Sequence, residues 1–450
     1  MGLGLFGGGA AAARYLARAG AEVTVTYLRD ELELAPAITE LQGLPLSLRL
    51  AGHREEDFTQ TDLIVANPAV GPGNRYLRAA RDAGVAISSE VALFLDACPA
   101  EVIAITGTQG KSTTTSYLAQ LLEGGERAVY LGGNIGHSLL DELPRLGAGD
   151  ICALELSSYQ LEALPDQWLR SRDDSPIAAA ALLNVLDDHL ERHGSREEYA
   201  RVKLRVFELV RSGGAAFVPA LGIPIAIELA RDLEIVEVPG PRLGVSDGQF
   251  HFDGQPLANL VDAPLTAPFQ RENLLVALGL AAFAGVEPED LAGRVFGLGG
   301  LPHRLDPVGR LGGRPLWDNA VSTTPDSTIS ALEALPEETV VMLGGKVKDL
   351  DLQPLLRTLR DRRARVVIFG GARSHWPEDF RRAGVEYRSA AGPREALETA
   401  LELEGQALLF SPACSSFDAY PNFQARADEF LAHAEALGLQ RTTLHCADSS

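Results

Sequence analysis

From Ile103 to Thr115 the chain reads Ile-Ala-Ile-Thr-Gly-Thr-Gln-Gly-Lys-Ser-Thr-Thr-Thr. An apolar strand runs into a glycine turn, then a lysine, a serine and a helical pattern. Glycines at 107 and 110 let the backbone approach phosphate oxygens across Thr108 and Gln109, and the helix start offers N–H donors. In such a loop Lys111 reaches the β- and γ-phosphates and the Ser112 hydroxyl coordinates Mg²⁺. The spacing is shorter than GxxxxGK[ST], because Ile105 stands where the first glycine belongs. The bland alternative is a glycine turn with a surface lysine and a serine cap. The strand and helix on either side favour the phosphate loop.

Magnesium takes oxygen ligands and often only one or two protein carboxylates. Glu155 ends an apolar run, where a carboxylate is costly unless salt-bridged or metal-bound. Asp187, Asp188, His189 and His193 crowd a short segment after another apolar strand. They form either a metal-binding loop or a polar capping loop. Ser195-Arg-Glu-Glu198 is a capping box that starts a helix. Its apolar stripe is Tyr199, Val202, Val206, Phe207 and Val210, and Lys203 lies on that stripe. The lysine either snorkels to the edge or reaches a polar site. Among magnesium ligands a charged lysine is repelled, whereas a carbamate made from its amine and carbon dioxide supplies anionic oxygens.

Short apolar runs alternate with helical patterns to position these residues. Strands are expected at residues 3–6, 22–26, 63–67, 85–89, 102–106, 151–156, 178–183, 340–343, 366–369 and 407–410. Helices are expected at 10–19, 75–83, 112–122 and 195–210. This β-α alternation predicts an α/β protein with parallel sheets covered by helices. Breaks near Pro99 and Pro302 divide it into residues 1–98, 99–302 and 303–450. Gly7-Gly8-Gly9 reads either as a Rossmann-like phosphate turn or as a tight turn closing a β-α unit. Asn67-Pro-Ala-Val-Gly71 is a second turn at a strand's carboxyl end. Residues after Arg441 are expected to be poorly structured.

The 450 residues carry 40 basic and 61 acidic side chains, a net charge of −21. Such a surface disfavours nucleic acid and anionic membranes, so neither is an expected partner. Any anion site has to be built locally. No apolar stretch approaches the roughly 18 residues of a membrane helix. The amino terminus lacks the basic start of a signal peptide, so a cytoplasmic protein is expected. Cys98, Cys152, Cys414 and Cys446 are widely spaced and read as reduced thiols rather than a disulfide frame or zinc site.

In order along the chain, Gly107-Thr-Gln-Gly-Lys-Ser-Thr113, Gly132-Gly-Asn-Ile-Gly136, Glu155-Leu-Ser-Ser-Tyr-Gln-Leu-Glu162 and Asn184-Val-Leu-Asp-Asp-His189 resemble the Mur ligases. Lys203, Gly300-Leu-Pro-His-Arg-Leu305, Leu343-Gly-Gly345 and Ser411-Pro-Ala-Cys-Ser-Ser-Phe-Asp418 extend the resemblance over nearly the whole chain. The SSxQLE and SPAC-x-SFD pieces point to the D-glutamate-adding branch. The resemblance implies three domains: Rossmann-like and UDP-binding, central P-loop ATPase, and a Rossmann-like domain that receives the amino acid. It implies ATP contacts at Gly107–Thr113, Asn273, Arg304 and Asp318. It implies metal ligands at Ser112, Glu155, His189 and a carbamylated Lys203, with Lys111, His189 and Lys203 catalytic. Asn67, Asn134, Thr323, Lys348, Ser416 and Phe423 become substrate contacts. Phe269-Gln270 replaces the family's His-Asn, and the usual lysine is missing from Asp318–Thr323, where either Asp318 or Asn319 meets the ribose.

The implied reaction adds D-glutamate to UDP-N-acetylmuramoyl-L-alanine, using ATP and Mg²⁺, through an acyl phosphate. It is a step of peptidoglycan precursor synthesis, carried out by an expected monomer. Another Mur step or a folylpolyglutamate synthetase-like ligase shares the phosphate loop. A nucleotide switch without ligation is the rival from another class, and Glu155, His189 and Lys203 argue against it.

Overall fold

The computed structural model describes every residue except 4–7, 30–33, 136–137, 166–173, 221–231, 264–267, 349 and 442–450. Chain contacts divide it into two compact units, Met1–Leu260 with Asn273–Val295, and Val261–Glu272 with Phe296–Ser450.

The first unit opens with two small parallel pairs. Strand β1 (Val23–Thr26) pairs with β2 (Leu46–Arg49), and β3 (Leu63–Val65) with β4 (Ala86–Ser88). The helix Gly8–Arg18 begins inside the glycine run. Gly9 has no room for a side chain, because a Cβ would stand 2.1 Å from the Leu3 carbonyl oxygen. The expected strand at 3–6 falls mostly outside the described residues, as does Gly7.

Six strands follow: β5 (Glu101–Thr106), β6 (Val129–Gly133), β7 (Ile151–Glu155), β8 (Ile177–Leu182), β9 (Ala215–Pro219) and β10 (Glu234–Val238). They form one parallel sheet in the order β10-β9-β8-β5-β7-β6. Strands β7 and β8 are buried throughout, which is why they read as unbroken apolar runs. One core joins helices Gly8–Arg18 and Glu90–Ala97 to this sheet and to the helix Arg196–Glu208. An antiparallel meander, β11 (Leu243–Ser246), β12 (Gln249–Phe252) and β13 (Gln255–Asn259), completes the strands of the unit.

The second unit holds β14 (Asp306–Leu311), β15 (Arg314–Asp318), β16 (Val340–Gly344), β17 (Arg365–Phe369), β18 (Tyr387–Ala390) and β19 (Leu408–Phe410). Their order is β14-β15-β19-β16-β17-β18. The edge hairpin β14–β15 is antiparallel, turning on Gly312 and Gly313 at φ +58° and +79°. The other pairs are parallel, and β19 lies between β15 and β16. Such a reversal of strand order opens a crevice at the strands' carboxyl ends. Cys98, Cys152 and Cys414 are free thiols, and Cys446 lies outside the described residues. No helix among the described residues is long and apolar enough to cross a membrane.

Candidate active site

The glycine turn leaves the central strand of the first unit. Asn184, just past the end of β8, clamps it: its Oδ1 accepts from the amides of Thr108 (3.1 Å) and Gln109 (2.9 Å), and its Nδ2 donates to the Gln109 carbonyl (3.2 Å). The Leu186 amide donates to Thr108 Oγ1 (2.9 Å). The helix Lys111–Leu122 starts immediately, with Gly110 as its cap at φ +82°. A Cβ on Gly110 would lie 2.3 Å from Asn273 Oδ1, so the predicted nucleotide residue Asn273 packs directly on the turn. Ser112 and Thr113 are buried in the first helical turn, the end where anions are favoured. Lys111 Nζ donates back to the Thr108 carbonyl at 2.9 Å.

Beside the turn, strands β6 and β7 run in register with Gly133 opposite Glu155. A Cβ on Gly133, at φ +97°, would be 2.2 Å from the Glu155 carbonyl oxygen, so only glycine brings the next residue this close. Asn134 then donates its amide to the Glu155 carbonyl (2.9 Å) and its Nδ2 to Glu155 Oε1 (2.8 Å). Glu155 is 1% exposed, and its Oε2 has no hydrogen-bond partner among the described residues. It is therefore not held in a salt bridge there.

Lys203 is 1% exposed and donates to the Gly107 carbonyl at 2.7 Å. Its Nζ sits 4.6 Å over the Tyr199 ring. Burial, with the nearby charge of Lys111, pushes its ammonium well below the usual lysine range. His189 has left-handed backbone (φ +54°) and heads the short helix Leu190–His193. Its ring lies against Tyr159, 3.4 Å from Asp188 and 3.6 Å from Glu191. Thr108, Lys111, Asn134, Tyr159, His189 and Lys203 are among the residues lining one cavity of about 200 Å³.

An orphaned buried carboxylate oxygen on Glu155 and the hydroxyl of Ser112 are hard oxygen donors of the kind that suit a cation such as Mg²⁺. No group of three or more His, Cys, Asp or Glu side chains gathers for a metal among the described residues. Were a metal to bind, Glu155, Ser112, His189 and a carbamate on Lys203 would be the residues expected to hold it.

Arg192 was not anticipated. Its guanidinium pairs with Glu162 (2.8 and 2.5 Å) and lies 4.7 Å from the Tyr159 ring centre. It also donates to the carbonyls of Pro68, Ala69 and Val70 at 3.1–3.3 Å. The predicted substrate turn is thus fastened to the cavity wall. Asn67 shapes that turn, accepting from the Ala69 amide at 3.0 Å. Asn184 and Tyr159 fell within the quoted motifs, and Arg192 lies between His189 and His193 of the crowded segment. An asparagine directly after a buried strand was the available signal for the clamp.

In the second unit, Lys348 Nζ is 3.5 Å from Thr323 Oγ1, and Ser416 is buried. The Phe423 ring lies edge-on to His303 at 6.2 Å. Asp318 is fully buried. Its Oδ2 is 2.6 Å from His303 Nδ1, and its Oδ1 accepts from the Ala320 amide. Asn319 accepts from the Leu305 amide and donates to Ser411 Oγ, so it too is enclosed. The Arg304 backbone closes a turn onto Leu301.

Residues 105–232 match the family model described as the Mur ligase middle domain. The chain is 34% identical over 97% of its length to the UDP-N-acetylmuramoylalanine--D-glutamate ligase of Geobacter metallireducens, covering 97% of that protein. It is 31% identical over 96% of both lengths to the Roseiflexus protein of the same name. Its fold matches MurF from Acinetobacter baumannii with a TM-score of 0.60 at 16% identity, covering 92% of each chain. It also matches a Thermotoga maritima MurF ligase solved in complex with ADP, with a TM-score of 0.56 at 18% identity, covering 83% of this chain and 94% of that one. With nearly the whole chain aligned above 30% identity, the protein belongs to the UDP-N-acetylmuramoylalanine--D-glutamate ligase family of Mur ligases.

Proposed function

We propose that this chain joins D-glutamate to the alanine carboxylate of UDP-N-acetylmuramoyl-L-alanine, with ATP cleaved to ADP and phosphate. The observation that carries the reading is the single cavity lined by Thr108 and Lys111 of the glycine turn together with Asn134, His189 and Lys203. A carboxylate is a poor electrophile, so it is first phosphorylated by ATP. The amine of D-glutamate then attacks the acyl carbon, and phosphate leaves from the tetrahedral intermediate.

Both acceptor and triphosphate are anionic, and the residues of the turn oppose their repulsion. Lys111 stabilises charge on the transferring phosphoryl group, an effect worth about 2.7–4 kcal/mol for one well-placed donor. Asn184 keeps the turn in its curved shape, so the first helical amides stay aimed at phosphate. Bound magnesium would supply charge neutralisation between the phosphates and the carboxylate. Lys203 is suited to its carbamate form because burial favours the neutral amine, which adds to carbon dioxide and releases a proton to give the anion. Glu155, held by Asn134, supplies a further oxygen.

The roles divide among residues 1–98 for the UDP substrate, 99–302 for ATP and 303–450 for the amino acid. Asn67 and Asn134 serve the acceptor. Asn273, Arg304 and Asp318 serve ATP, and Thr323, Lys348, Ser416 and Phe423 serve D-glutamate. In this reading the enzyme works as a monomer in the cytoplasm.

Phosphate release measured with each substrate omitted in turn tests the reading. Release should require ATP, UDP-N-acetylmuramoyl-L-alanine and D-glutamate together. Release with ATP alone would support a nucleotide switch, and preference for another amino acid would move the chain to another ligase step.

A further inference from the structure

Arg426 is among the largest fully buried side chains of the described residues. It stands in the first turn of the helix Phe423–Ala436, which Asn422 caps by accepting from the Ala425 amide at 2.8 Å. The guanidinium makes no ion pair among the described residues and instead donates to main-chain oxygens. Nη1 donates to the carbonyls of Cys414 (3.1 Å) and Gly344 (3.3 Å), and Nη2 to that of Ala320 (3.1 Å).

Those three carbonyls lie at or just past the carboxyl ends of β19, β16 and β15, at the place where the strand order reverses. Each segment runs on to one polar residue assigned to D-glutamate. Ala320 leads to Thr323, Gly344 to Lys348 and Cys414 to Ser416. The fourth assigned residue, Phe423, opens the helix that carries Arg426. Room for the guanidinium is built in. Gly345 sits at φ +129°, where a Cβ would be 2.9 Å from Nη1 and 2.4 Å from the Ser415 carbonyl oxygen.

A planar fork with donors in several directions can satisfy three carbonyls at once, which a lysine ammonium at the end of a flexible stem does less well. Burial brings the guanidinium down to about 10, so it stays charged at neutral pH and its hydrogen bonds remain charge-assisted.

We propose that Arg426 is a positioning residue for amino-acid binding: one buried guanidinium sets the mutual register of the three loops that carry Thr323, Lys348 and Ser416. Affinity for the acidic amino acid then depends on a side chain that need not touch it. This rests on the D-glutamate assignment made above.

The test compares wild type with Arg426→Lys and Arg426→Gln in the full ligation assay. Arg426→Gln should raise KM for D-glutamate by about tenfold or more while KM for ATP and for the UDP substrate stays within about twofold. Arg426→Lys should recover part of the loss. Equal rises in all three KM values, or none, would overturn the proposal.

Hydrogen exchange on the wild-type protein carries the test if the glutamine variant does not fold. Amides of Ser322, Lys346 and Ser415 should open as one unit, and Arg426→Lys should separate their rates. Unlinked rates in the wild type would overturn the idea. A wild-type enzyme indifferent to D-glutamate would instead defeat the functional reading, while the exchange result would still judge the role of Arg426.

Discussion

Replacing Gly110 with alanine probes whether the glycine turn is a cradle with no spare room. The residue sits at φ +82°, where an L side chain costs about 1–2 kcal/mol. The added Cβ would also meet Asn273 Oδ1 at 2.3 Å and Leu183 Cδ1 at 3.2 Å. The first distance is at least about 1 Å inside ordinary contact. Asn273 is buried, so either it or the turn has to move, at an overpacking cost of about 1–3 kcal/mol.

Gly124 provides the control, because it has nearly the same backbone (φ +84°) and nothing within 4 Å of its would-be Cβ. Gly124→Ala should therefore lose only the backbone contribution, with turnover intact. Gly110→Ala should melt lower than Gly124→Ala by on the order of 2–10 °C. It should also lose about a hundredfold in kcat, the usual result of moving a reacting group by 1 Å. Thermal scans and phosphate release on the two variants measure both effects. Adding Asn273→Ala to Gly110→Ala should restore part of the lost stability, a coupling that independent sites do not show. Equal melting of the two glycine variants, with kcat within about threefold of wild type, would refute the argument.

Lys203→Ala should be inactive, and it should melt lower than wild type because it leaves a cavity and removes the donor to the Gly107 carbonyl. Small carboxylic acids added to the assay should restore some turnover, and absence of rescue would count against the carbamate. Arg192→Ala should free the turn at 68–70 and raise KM for the UDP substrate more than KM for ATP, by about 5- to 50-fold given several charge-assisted bonds lost; unchanged binding of the UDP substrate would contradict this. His303 has its imidazolium favoured because its Nδ1 donates a hydrogen bond to Asp318 Oδ2, which raises its pKa above the ordinary histidine value. A group raised on folding stabilises below its unfolded pKa, and that contribution fades as pH rises through the folded value. His303→Gln should therefore cost more stability at pH 5.5 than at pH 8.5, read from denaturant midpoints, and an equal loss at both would remove the pair from the account.

Legibility in the sequence followed burial at the centre of the first unit's large sheet, although the buried strand β9 went unread. Strands β5, β7 and β8, enclosed on both faces, announced themselves as apolar runs. Lys203 stood out because a charge broke an otherwise apolar stripe, and the side chain is buried. The meander β11–β13 and the hairpin β14–β15 passed unread. Their exposed faces alternate with polar residues, and the turns Asp247-Gly248, Asp253-Gly254 and Gly312-Gly313 were the signals available. Contacts distant in sequence were beyond reach for a different reason. Periodicity places a residue on a face but does not say which carbonyls an arginine will find, so Arg192 and Arg426 became visible only when the loops were in place. The placement of Asp318 beside His303 likewise depends on two segments meeting at the end of β15.

A chain of net charge −21 that handles three anionic substrates needs positive charge that its own carboxylates do not cancel. Two of its key cations are directed toward main-chain dipoles. Lys111 donates to Thr108, and Arg426 to Ala320, Gly344 and Cys414. A carbonyl satisfies a donor without neutralising its charge. Lys203 uses the same kind of partner, the Gly107 carbonyl, but deeper burial and the charge of Lys111 drive it toward the neutral amine. Two lysines around one glycine turn thus share one kind of partner, a main-chain carbonyl. In the proposed reaction Lys111 faces phosphate, whereas Lys203, driven toward the neutral amine, is the one whose nitrogen can add to carbon dioxide.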